Sequence, residues 1–193
     1  MTDEMIGVFT FLPEYYHPDV FLEIQVKPED LLKNEKKERE LSEFIANYYA
    51  AKRVNAYEFR RNEIIFISLL KINDVLLNNA ARYSLHKNAD IQISILEDNR
   101  IIRIDIENRL GEEEYNTFKE KMRELVTEFD QTKHLEITNP YVPKADENSL
   151  KYLLKNFSVK LGTRFFRPAD DIYAVTVRAY FFVEDAILNH HSR

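Results

Sequence analysis

The chain has no cysteine and no tryptophan, and only three glycines in 193 residues. Without cysteine there is no disulfide framework, no thiolate metal site and no thiol nucleophile. Gly7, Gly111 and Gly162 are too few and too scattered for a phosphate-cradling loop. Such a loop needs glycine so that backbone N–H groups can approach the phosphates. Neither GxGxxG nor GxxxxGK[ST] occurs, and there is no GxSxG elbow. Excess positive charge is missing too. The net charge is -6, and the one dense charge run, KNEKKERE at 33–40, is mixed in sign. Nucleic acid is therefore not an expected partner. The apolar runs read as too short to span a bilayer, so no membrane role is expected. With no signal peptide evident, zero cysteines favour the cytoplasm.

Hydrophobic residues are 45% and charged residues 31%, the balance of an ordinary globular protein. We expect a single domain over 1–193, with strands and a helix in 1–55 and a core in 60–182. Residues 5–12 read as a strand and 20–26, VFLEIQV, alternate as a second. Residues 27–54 read as one helix, with Pro28 near its start. Leu31, Leu32, Leu41, Phe44, Ile45 and Tyr48 are its expected buried side. Residues 88–110 form a hairpin: Ile91, Ile93 and Ile95 alternate on one arm, Ile102, Ile104 and Ile106 on the other. GEEEYNTFKEKMRELVTEFD (111–130) is an amphipathic helix with acidic residues in its first turn, where the helix dipole favours them. Residues 131–147 read as a long loop. A helix over 147–162 is expected to end at Gly162, and 163–182 is a closing hairpin. The order ββ, helix, helix, ββ, helix, helix, ββ implies an α+β fold. One mixed or antiparallel sheet would carry helices on one face, plus an N-terminal strand extension.

The most informative stretch is 63–84, EIIFISLLKINDVLLNNAARYS. It is apolar almost all round, as in a buried helix. Steps of about 100° per residue place Ser68, Lys71, Asp74, Asn78, Asn79 and Arg82 on one side. Buried polar groups need partners. This stripe should therefore face another polar element, a ligand or a wet cleft. The bland alternative is that Asn78 and Asn79 bond neighbouring backbone, that Asp74 pairs with Lys71, Arg82 or Asn78, and that Arg82 sits in a salt bridge.

DVLLNNAARYS (74–84), followed by a hairpin, an excursion, a helix and a last hairpin, resembles the histidine-kinase-type ATPase (Bergerat) fold. The closest flavour is the small bacterial branch of anti-sigma-factor serine kinases and related regulators. The resemblance covers roughly 60–182 and implies a two-layer sandwich. Matching Arg82-Tyr83-Ser84 to the end of that family's N box implies Asn79 as the magnesium-binding asparagine. Asn78, Arg82, Glu107 and Gly111 would be the other cofactor-binding residues, with Glu107 in place of the adenine-reading Asp. Three departures stand out. The general-base position is Val75, with Asp74 beside it at the wrong angle. Arg109 fills the first glycine position of the first glycine box. SLKYLL (149–154) lacks the second glycine box. The implied cofactor is none, or weakly bound ATP with magnesium.

The expected function is that of a catalytically degenerate regulator that binds a protein partner. In the resembling family partners are STAS-type antagonists, sigma factors and receiver domains. One alternative is an active ATP-dependent serine/threonine kinase with Asp74 as base. Another is an α+β interaction module without nucleotide. A homodimer through the apolar N-terminal strands is also an expectation, since exposed strand edges invite pairing. No histidine pair has the spacing of a metal site, and Ser149 reads as a helix cap rather than a nucleophile.

Overall fold

The computed structural model describes residues 3–12, 20–51, 59–85, 89–98, 100–131 and 149–191. Six strands are described: β1 (Glu4–Gly7), β2 (Val20–Val26), β3 (Ile91–Asp98), β4 (Ile101–Leu110), β5 (Val159–Ala169) and β6 (Ile172–Phe182). Six helices accompany them: α1 (Pro28–Leu32), α2 (Glu35–Ala50), α3 (Phe59–Tyr83), α4 (Glu112–Gln131), α5 (Leu150–Asn156) and α6 (Val183–His191). The strands form one sheet in the order β1-β5-β6-β4-β3-β2. Every pairing is antiparallel. The fold is α+β in two layers, as the element order implied.

The alternating isoleucines make the join between the layers. Ile91, Ile93, Ile95, Ile102, Ile104 and Ile106 are each 1% exposed or less. They point the same way because side chains alternate along a strand. Against them lies α3, with Leu69, Ile72, Val75 and Leu77 fully buried. The segment Arg61–Tyr83 is long and apolar enough by composition to cross a membrane, contrary to the reading from its runs. Its apolar stretch is 61% buried inside the protein, where it serves as the core helix.

Several sequence expectations shift. The helix expected over 27–54 breaks at Lys33–Asn34. The Asn34 side chain accepts from the Lys36 N–H at 3.1 Å and caps α2. Leu32, Phe44 and Tyr48 are exposed, while Ser42, Ala46 and Tyr49 are buried. The Tyr49 hydroxyl donates to the Ile95 carbonyl at 3.0 Å, and burial raises its pKa. The helix expected over 147–162 ends at Asn156, so Gly162 lies within β5 rather than at a helix end. Ser149 does cap α5, accepting from the Tyr152 N–H at 3.1 Å. The chain continues past the last hairpin into α6, where no helix was expected. The long loop expected over 131–147 falls almost wholly outside the described residues.

β1 and β2 do not pair with each other; they occupy opposite edges of the sheet. β1 stops at Gly7, which takes a φ of +77° and faces Gly162 in register. From there the chain crosses the sheet face opposite the helices. Val8 passes so close that a Cβ on Gly162 would meet its carbonyl carbon and oxygen at 2.4 Å. The crossing segment is held by side chains. The Phe9 carbonyl accepts from Arg178 Nη1 at 2.7 Å and from the Tyr180 hydroxyl at 2.9 Å. Arg178 also makes a two-pronged pair with Asp105, both contacts at 2.7 Å, and both residues are buried. Burial opposes the Arg178 charge, but the bond and charge of Asp105 together with Tyr180 outweigh it and raise the pKa.

The space at Gly162 gives a direct test. Gly162→Ala should lower stability in urea denaturation by roughly 2 kcal/mol, because backbone would have to move to admit one methyl group. An unchanged midpoint would show that the crossing is looser than described.

Candidate functional site

The polar side of α3 does not act as one surface. Ser68 is buried, and the Lys71 ammonium lies 5.6 Å from the centre of the Tyr152 ring on α5. Asn78 turns toward α2, where its amide donates to Glu38 at 3.4 Å. Asn79 turns toward the sheet; its amide donates to the Val75 carbonyl of its own helix at 2.6 Å. Asp74 is half-buried and Arg82 is exposed. Two adjacent asparagines about 100° apart thus serve different neighbours.

Asn79 lines a small cavity between α3 and β4, along with Leu76, Tyr83, Asn108, Phe118 and Leu150. Its volume is about 20 Å³. That admits one water, whereas ligand sites run to roughly 300 Å³ and above. The polar groups at its wall are Asn79 and Asn108; the rest is almost entirely aliphatic and aromatic.

Asn108 is the residue that the motif matching passed over. It is 4% exposed, and its amide donates to the Ala80 carbonyl at 3.2 Å and the Ser84 hydroxyl at 3.3 Å. Ser84 Oγ in turn donates to the same Ala80 carbonyl at 2.8 Å. The last turn of α3 is therefore tied to β4 through one side chain. The Leu85 N–H adds a bond to the Arg109 carbonyl at 2.9 Å. The signal was present in the sequence: Ile102, Ile104 and Ile106 put position 108 on the same face.

Glu107 falls on the other face by the same alternation. It accepts from the Thr176 hydroxyl at 3.0 Å and takes no part in the cavity. Gly111 precedes α4, and its carbonyl accepts from the Tyr115 N–H at 2.9 Å. A Cβ at Gly111 would meet the Glu114 carboxylate at 2.2 Å, so that carboxylate already covers the spot. Glu112 and Glu113 share this helix start. The Glu112 carboxylate accepts from the Tyr173 phenol, a bond that raises the phenol pKa. A helix start furnished with its own carboxylates repels an incoming phosphate, although the dipole would favour one.

Of the cofactor-binding candidates read from the sequence, Asn79 alone lines the cavity. Asn78, Glu107, Arg82 and Gly111 do not line it. Val75, at the general-base position, is fully buried. Among the described residues no cluster of three or more His, Asp or Glu side chains could hold a metal ion. No protein-family model and no curated protein matches the sequence.

The tie at Asn108 yields a prediction. Asn108→Ala should destabilise by about 1–2 kcal/mol in urea denaturation, by leaving the Ala80 and Ser84 partners short of a donor. The extra hydrogen exchange should be concentrated at the C-terminal end of α3. Exchange spread evenly over the chain would argue against a local tie.

Proposed function

We propose that this chain is a regulatory protein built on the histidine-kinase-type ATPase plan, with its nucleotide site closed, that acts by binding a protein partner. The observation that supports this most is the meeting of Asn79 with β4 across a cavity of about 20 Å³. The asparagine matched to the metal-binding position stands on the core helix, beside the strand expected to bear the base-reading residue. Leu76, Phe118 and Leu150 are among the apolar walls of that cavity. Val75 supplies no carboxylate for proton transfer, and the three carboxylates at the start of α4 disfavour phosphate. Loss of general-base catalysis and of phosphate binding each removes orders of magnitude in rate. What remains useful is the shell.

On this reading the protein works in the cytoplasm by stoichiometric sequestration. Its partner is of the kind the resembling family regulates: a sigma factor, a STAS-type antagonist or a receiver domain. Aromatic anchors on the surface carry most of the energy in such contacts. Phe44 and Tyr48 on α2 are exposed at 52% and 41%, with ring centres 6.3 Å apart.

Purified protein should show no shift in melting temperature with millimolar ATP and magnesium. A clear shift that Asn79→Ala abolishes would overturn the closed-site reading and favour an active kinase. Labelled-phosphate transfer to a partner, lost in Asp74→Asn, would then identify the base.

A further inference from the structure

The two edges of the sheet are built differently. The β1 edge is four residues long, and its charges are engaged: Asp3 with Arg164, and Glu4 with Lys119 and Arg123. Short, charged edges discourage further pairing. β2 is seven residues long and stays in register with β3 from Val20 to Val26. It contains no proline, no lysine and no bulge. Among the described residues no strand pairs with its outer side. Backbone N–H and C=O groups along such an edge are satisfied by water or by another strand.

We propose that β2 pairs with β2 of a second copy of this chain, antiparallel, about a two-fold axis through Ile24. Side-chain matching selects the copy and the register. With Ile24 opposite the second copy's Ile24, Leu22 faces Val26 and Glu23 faces Gln25. Leu22, Ile24 and Val26 are half-buried and pack on the core, so the apolar face continues across the axis. Glu23 and Gln25 are exposed on the opposite face, where a carboxylate meets an amide twice by symmetry. Centring on Glu23 instead would oppose two carboxylates, centring on Leu22 would oppose Glu23 and Phe21, and centring on Gln25 would leave only Ile24–Val26 of each strand paired, with Glu23 opposite Lys27 beyond the strand end. Each is a poorer match over the length of the strand. A one-residue slip would exchange the two faces. The two six-stranded sheets would run on as one. This inference is independent of the nucleotide reading, since it uses no residue of that cavity.

Sedimentation velocity from about 1 to 200 µM should show a monomer–dimer equilibrium, because a strand pair buries little area. Gln25 is exposed, so changing its charge should leave the fold intact by circular dichroism. Gln25→Glu should weaken the dimer by about fivefold or more, and Gln25→Lys should tighten it. The native chain has no cysteine, which permits a test of register. An equal mixture of Glu23→Cys and Gln25→Cys chains should oxidise to a cross-linked heterodimer, while neither alone does so. Cα atoms of opposed residues lie in disulfide range, and those two places off do not. A monomer throughout, a dimer indifferent to charge at position 25, or no preference for the mixed cross-link would each overturn the proposal.

Discussion

The burial of α3 is the constraint on which the rest depends. A long helix with few carbonyl partners beyond its end has to be closed off where it meets the sheet. Asn108 does this, reaching from β4 to the Ala80 carbonyl and the Ser84 hydroxyl. The cavity between α3 and β4, walled in part by Leu76 and Phe118, is about 20 Å³, room for one water.

The opposite face of the sheet has a different logic. Among the described residues no helix covers it, yet Asp105 and Arg178 are buried there. The N-terminal segment crosses at Gly162 and lays the Phe9 carbonyl on Arg178 and Tyr180. A buried ion pair is costly unless its remaining donors are satisfied. Arg178 meets that condition by giving two bonds to Asp105 and one to Phe9. Two of the three glycines, Gly7 and Gly162, stand at this crossing, which explains where so scarce a residue is spent.

Much of the fold was legible because its strongest signal is local. Alternation of isoleucine gave β3 and β4, and helical periodicity gave α3 and α4. Segments whose structure depends on distant contacts were not legible. β1 and β2 follow each other in the sequence, yet they stand at opposite edges of the sheet. Gly162 read as a helix end, because nothing local reveals that another chain segment passes over it. The site was legible in part. Motif matching found Asn79 but chose Glu107 over Asn108, because it followed chemical likeness and ignored strand phase. Asn78 and Asn79 were read on one polar stripe, but Asn78 turns to Glu38 of α2 and Asn79 to the cavity beside β4.

The most direct test follows the side-chain amide resonances of Asn79 and Asn108 in a nitrogen-15 NMR titration with ATP and magnesium. The closed-site account predicts that both stay in place up to millimolar nucleotide, with slow exchange of the Asn108 amide protons. Saturable shifts of both signals would show that nucleotide enters between α3 and β4, and would contradict it.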